Sequence, residues 1–209
     1  MKIAVVNEVS ASLKNEDIVN ALEKTTDAEV LNVGMKNPQQ MPSLTYIHTS
    51  YMTAVLLNTG CCDFAIGGCG TGQGYLNGVL QFPGVVCGLV TEPLDAWLFS
   101  QINGGNCVSL PLNKGYGWAG GLNLEYVFEK LFRDPAGAGY PRERAQSQAQ
   151  SRQILADLSR ISHRDIIDIL KESDPEILKA LAGSEEFMKV LADGPEKAKL
   201  VYELLKNAE

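Results

Sequence analysis

One cysteine, Cys69, stands among glycines where a β-branched run gives way to a helix start: Asp63-Phe64-Ala65-Ile66-Gly67-Gly68-Cys69-Gly70-Thr71-Gly72-Gln73-Gly74. Such a turn presents a nest of backbone N–H groups that attracts an anion or a developing oxyanion. A thiol beside that positive end has a depressed pKa and is partly thiolate near neutral pH. Thiolate and oxyanion donors together suit nucleophilic catalysis, or removal of a proton from a carbon next to a carbonyl. The segment is not a Walker loop, since no Gly-Lys-Ser/Thr follows. Nor is it a dinucleotide fingerprint, since the third glycine is missing in either register. A cysteine that merely fills a strand end in a glycine-rich turn is the bland reading, and the residues alone leave both open.

Cysteine hydrolase chemistry needs a histidine partner, and the chain has only His48 and His163. His48 opens a predicted helix, and His163 reads as an exposed first-turn residue two positions into another. Cys61, Cys62, Cys87 and Cys107 sit in or beside apolar segments and read as core. Five cysteines with no CxxC pair argue against a disulfide framework or a zinc site. A reducing, cytoplasmic setting follows, and no metal is expected.

Short β-branched runs alternate with helix-length amphipathic stretches. Strands are predicted at 3–6, 28–33, 64–66, 85–90 and 107–110, with helices near Ile18–Leu22 and over 46–58, 72–81, 94–102 and 118–132. Helix-length crossovers between strands imply a parallel sheet covered on both faces. The expected fold is therefore a doubly wound, Rossmann-like α/β/α sandwich on five parallel strands, with ligands at the carboxyl ends of the strands. Near residue 134 the composition changes: 134–141 is rich in Gly and Pro, Gln146–Gln153 is polar and of low complexity, and the chain looks helical from Ile154 onward. Ser162 with Asp165 reads as a capping box, Asp174-Pro175 and Gly194-Pro195 as helix starts. These features divide the chain into an α/β domain over 1–152 and a helical extension over 153–209, packed on the core or on a partner subunit.

The composition bounds the function. A net charge of −7 over 209 residues argues against general nucleic-acid binding. The apolar runs are too short for a membrane span, and the acid at Glu8 comes too early for a signal peptide.

The segment Gly68-Cys69-Gly70-Thr71-Gly72 resembles the signature of the ribose-5-phosphate isomerase B and galactose-6-phosphate isomerase family. Pro83–Gly88, Thr91–Ala96, Asn103-Gly104-Gly105-Asn106 and Arg142-Glu143-Arg144 resemble further family segments, so the resemblance covers residues 1 to about 152. It implies a homodimer, or a higher assembly of it, with sites near the subunit interface. It also implies cofactor-free aldose–ketose isomerisation of a sugar phosphate or sugar acid, in which the cysteine moves a proton through an enediolate. Two departures are informative. The family's first strand ends in Ser-Asp-His-Ala-Gly, where this chain reads Asn7-Glu8-Val9-Ser10-Ala11. The histidine linked to ring opening is replaced by Ile102. Losing both imidazoles suits an open-chain substrate with a carboxylate end. That agrees with a longer subgroup, the 4-deoxy-L-threo-5-hexosulose-uronate ketol-isomerases, which the Asn7–Ser12, Ser100–Asn106 and Gly139–Arg144 segments and the helical tail also resemble. A pentose- or hexose-phosphate isomerase is the alternative, and an inert binding protein for an anionic sugar metabolite is the second.

On this resemblance Cys69 shuttles the proton, while Thr71 and the amides of Gly70 and Gly72 hold the enediolate oxygen. Glu8 assists proton transfer between the two oxygens, unless it is only a surface acid at a strand end. Asn103 contacts a substrate oxygen or else forms a turn. Arg142 and Arg144 clamp the carboxylate, in the same subunit or across the dimer, or form a solvated charge pair with Glu143. Lys114, Ser10, Ser12 and Tyr46 complete the candidate pocket.

Overall fold

The computed structural model describes residues 1–207. The β-branched runs form strands β1 (Lys2–Asn7), β2 (Glu29–Asn32), β3 (Phe64–Cys69), β4 (Cys87–Leu89) and β5 (Cys107–Pro111). All pair in parallel, in the order β2-β1-β3-β5-β4. Between them run helices α1 (Asn15–Thr25), α2 (Tyr46–Thr59), α3 (Gln73–Val79) and α4 (Pro93–Leu98), and α5 (Gly120–Phe132) follows the last strand. Side chains alternate along a strand, and the core divides accordingly. Ile3, Val5, Phe64 and Ile66 pack with α1 and α5, while Ala4, Val6 and Ala65 face α2 and α3. Both faces are covered, giving the doubly wound, Rossmann-like α/β fold that the pattern predicts.

Strand β3 runs three residues further than its β-branched stretch and takes in Gly67, Gly68 and Cys69. A Cβ at Gly67 would lie 2.3 Å from the Tyr75 ring, and one at Gly68 would lie 2.2 Å from the Leu110 carbonyl oxygen. These two glycines thus admit α3 and β5 against the strand rather than a ligand. Tyr75 is wholly buried, with its hydroxyl 2.6 Å from Thr53 Oγ1 on α2. A buried phenol needs such a partner, and this one ties α3 to α2.

Helix α2 is apolar around most of its circumference, with Met52, Ala54, Val55 and Leu56 all at 0% exposure. A helix of that kind must be buried on more than one side. Its outer side is covered by the tail helices α7 (Ile166–Lys171), α8 (Pro175–Ala182), α9 (Glu185–Ala192) and α10 (Glu196–Lys206), whose Leu170, Leu181, Phe187, Val201 and Leu205 join the same core. The chain's own tail therefore packs on the α/β core.

Three expectations about the tail change. Helix α6 (Ala145–Ser162) starts nine residues before Ile154, because seven of the nine residues of the polar stretch are Ala, Gln or Arg, which are strong helix formers, the other two being serines. It passes without a break through residue 152. His163 is the C-terminal cap of α6, not part of a helix start. Ser162 donates its hydroxyl back to the Leu158 carbonyl, while Asp165 alone caps α7 by accepting from the Ile167 N–H. Helix α6 has no buried residue and leaves Ile154, Leu155, Leu158 and Ile161 exposed. Among the described residues no helix is long and apolar enough to cross a membrane.

Filling the space that Gly67 leaves should strain this packing. Gly67→Ala should lower the unfolding free energy by about 1–3 kcal/mol, the usual cost of overpacking, read as a shifted urea midpoint. An unchanged midpoint would mean that the Tyr75 ring yields.

Candidate active site

In the order β2-β1-β3-β5-β4 the chain leaves β1 in one direction and β3 in the other. A crevice opens at that switch point, outside the carboxyl ends of the two strands. The ladder between them ends at Asn7 opposite Gly68. Beyond it one loop carries Glu8, Ser10 and Ser12, the other Cys69, Gly70, Thr71 and Gly72, and Lys114 follows β5 beside them.

Cys69 is the last residue of β3, buried, with Sγ 4.0 Å from Thr71 Oγ1. Thr71 itself is exposed, and its hydroxyl accepts from the Gln73 N–H at 3.3 Å. Among the described residues the amides of Gly70 and Thr71 have no acceptor in the protein. Gly72 differs from expectation. Its N–H donates to the Cys69 carbonyl at 3.2 Å, and its carbonyl accepts the Ser109 hydroxyl at 2.6 Å. Its φ of +76° is the left-handed region that favours glycine. Gly72 shapes the turn, and the donors left for an anion are Gly70 and Thr71.

Glu8 is not a surface acid: it is 4% exposed and caps the 3-10 helix Val9–Lys14. One carboxylate oxygen accepts from the Ser10 N–H at 3.1 Å and the other from the Ser10 hydroxyl. Ser12 is buried and donates its hydroxyl to the Val9 carbonyl at 2.9 Å, a role in the turn rather than the pocket. The Tyr46 ring at the start of α2 lies against Gly74, 3.1 Å from where a Cβ would stand. Lys114 forms no ion pair among the described residues. It borders a cavity of about 260 Å³ shared with Thr71, Thr91, Tyr116 and Asn123. His48 is committed to capping α2, its Nδ1 accepting from the Thr45 N–H at 3.0 Å, and burial lowers its pKa. Burial pushes the Cys62 thiol up to about 12, in keeping with a core residue.

Asn103, Arg142 and Arg144 are elsewhere. Asn103 ends a π-turn (Phe99–Asn103) ahead of β5, whereas Cys69 pairs with Pro111 at its far end. The length of β5 separates the two levels by about 13 Å. Asn103 lines a cleft with Val86, Gln148 and Arg152. Arg142 and Arg144 are exposed on a 3-10 turn on the same side of the molecule, and neither pairs with Glu143. Within one chain these three do not meet Cys69.

Three residues that the sequence did not single out matter here. Arg152 donates to the carbonyls of Ile102 and Gly137, at 2.8 and 2.9 Å, and so holds the Asn103 turn. Asn113 bridges the two loops of the crevice. Asn7 is fully buried with neither side-chain polar atom partnered. Long-range bonds from single polar residues leave no local pattern to read.

A cysteine, a buried carboxylate and free loop amides at the switch point of a doubly wound sheet fit an enzyme that moves protons on a small sugar. The likeness to solved sugar isomerases places the chain in that class, the aldose–ketose isomerases. The chain belongs to the ribose/galactose isomerase family, whose sequence profile matches residues 3–120. It is similar to a 4-deoxy-L-threo-5-hexosulose-uronate ketol-isomerase solved with a tartrate, at 43% identity and a TM-score of 0.93, over 100% of this chain and 99% of that one. It is also similar to a ribose-5-phosphate isomerase from Vibrio parahaemolyticus, at 40% identity and a TM-score of 0.94, over 100% and 99%. The type B ribose 5-phosphate isomerase of Trypanosoma brucei, at 20% identity and a TM-score of 0.63, over 75% of this chain and 97% of that one, shares the fold. No functionally curated sequence matches the chain.

Removing the Arg152 guanidinium should release the Asn103 turn. Arg152→Ala should cost about 1–3 kcal/mol, as for hydrogen bonds from a charged donor, and speed amide exchange at Gly137 and Gly139, whose N–H groups bond to Ser100 and Gln101. Unchanged exchange would show the turn held by other contacts.

Proposed function

We propose that this isomerase acts on the open-chain acid 4-deoxy-L-threo-5-hexosulose uronate in polysaccharide degradation. The observation that carries the reading is the aliphatic pair Val9 and Ile102 at the family's two histidine positions. Val9 packs against the core beside Glu8 and offers no proton or charge. An open-chain aldehyde acid needs no ring opening, and its carboxylate needs no imidazole. The likeness at 43% identity to a uronate ketol-isomerase supports this substrate; the likeness at 40% to a ribose-5-phosphate isomerase supports the rival.

The thiolate of Cys69 takes the proton from the hydroxyl-bearing carbon next to the aldehyde. The C–H electron pair becomes the carbon–carbon double bond of an enediolate, and the carbonyl pair moves onto oxygen. The Gly70 and Thr71 amides, with the Thr71 hydroxyl, stabilise that oxygen, which is where fixed donors act most strongly. Glu8 carries the hydroxyl proton from one oxygen to the other. Cys69 returns its proton to the former aldehyde carbon, giving the ketose with no net oxidation. Lys114, which borders the cavity beside Thr71, supplies a cation for the anionic end of the substrate. Asn103, Arg142 and Arg144 come from a second copy of the chain, whose contact is supported by the exposed Ile154, Leu155, Leu158 and Ile161 on α6.

Turnover of the uronate, ribose 5-phosphate and galactose 6-phosphate should be compared directly, with the uronate expected to dominate; faster turnover of either phosphate overturns the substrate. Cys69→Ala should abolish most turnover with the circular dichroism unchanged. Arg142→Ala should raise KM for a carboxylate substrate. Mixing and refolding Cys69→Ala with Asn103→Ala should restore up to about a quarter of wild-type activity if sites are shared across a two-fold dimer. No recovery would place each site within one chain.

A further inference from the structure

The two loops that carry Glu8 and Cys69 diverge where the β1–β3 ladder ends, at Asn7 and Gly68. Among the described residues no hydrogen bond joins residues 8–12 directly to residues 69–74. The link passes instead through one side chain on the loop after β5. Asn113 donates from Nδ2 to the Ser10 carbonyl at 3.0 Å and from its backbone N–H to the Gly70 carbonyl at 3.0 Å. The neighbouring amides reinforce it, Lys114 N–H to the same Gly70 carbonyl at 2.8 Å and Leu112 N–H to the Cys69 carbonyl at 3.0 Å. The contact is close on both sides: a Cβ at Gly70 would stand 3.2 Å from Asn113 Nδ2 and 3.5 Å from Ser10 Oγ.

We propose that Asn113 is the positioning residue that sets the spacing between Glu8 and Cys69. The chain of contacts is continuous. Ser10 holds both oxygens of Glu8, Asn113 holds Ser10, and the same residue holds Gly70, which follows Cys69 directly. The side chain supplies the bond to the first loop, because Nδ2 donates to the Ser10 carbonyl, while the backbone N–H that donates to Gly70 belongs to any residue but proline. An aspartate of the same shape would set a carboxylate oxygen against the Ser10 carbonyl. Proton transfer at carbon and at oxygen needs both groups in register, and small misplacements cost large factors in rate. The inference rests on the reading of Cys69 and Glu8 as the working pair.

The test compares Asn113→Ala and Asn113→Asp with the wild type and Cys69→Ala, on the uronate or on ribose 5-phosphate if the wild type turns that over faster. Asn113 is exposed, and the aspartate variant keeps its shape, so both should fold. Each should lower kcat about 10- to 100-fold, the scale of an ångström-sized misplacement, with KM within about threefold. The pH–rate profile should also change, because proton transfer between displaced groups then limits the rate. Unchanged kcat, a raised KM with kcat kept, or a lower kcat with an unmoved pH profile would each overturn the positioning role. If Cys69→Ala loses turnover while both Asn113 variants keep it, the inference alone fails. If Cys69→Ala keeps turnover, the reading of the pair and the inference fall together.

Discussion

The parallel pairing of β1 with β3 is the constraint on which the rest of the molecule depends. It places the two switch-point strands side by side and stops at Asn7 and Gly68, so that the following residues diverge over a crevice. A buried carboxylate and a buried thiol on two separate loops are brought near each other by that one ladder. The cost of the arrangement is that the loops have no sheet bonds of their own. The 3-10 turn after Glu8, the turn at Gly72 and the bridge through Asn113 replace them with side-chain and turn hydrogen bonds.

Rigidity below the crevice comes from packing that leaves no slack. Gly67 and Gly68 let Tyr75 and β5 approach the end of β3, and the Tyr75–Thr53 bond locks α3 to α2. Helix α2 then lies between the sheet and the tail helices α7, α8 and α10. Its apolar surface would be exposed without them, so the tail completes the core on which the Cys69 loop stands.

Electrostatically the crevice is built from dipoles more than from charges. Glu8 is neutralised by no cation among the described residues and is held by the Ser10 hydroxyl and amide instead. The amides of Gly70 and Thr71 have no acceptor among the described residues, and Lys114 borders the cavity beside Thr71. The Arg152 guanidinium lies instead by the turn ahead of β5, on the Ile102 carbonyl. A site of this kind suits a small substrate whose charge develops during the reaction.

The five strands, their parallel pairing and the turn at Cys69 were legible in the sequence, because alternation, β-branched runs and glycine punctuation are local signals with a fixed period. So was membership of a sugar-isomerase family, carried by short motifs around Cys69. The polar stretch before Ile154 hid the start of α6, since its first nine residues carry nothing apolar larger than alanine and so leave no periodicity to detect. The sequence also could not show that Gly67 and Gly68 serve packing, that the Gly72 amide turns inward, or that Asn103 stands a strand's length from Cys69. Nor could it show Asn113 joining residues 10 and 70. Residue type and spacing along the chain determined which chemistry was present; only the tertiary structure decided which groups meet, because hydrogen bonds between distant loops follow from the order of the strands and not from neighbours in sequence.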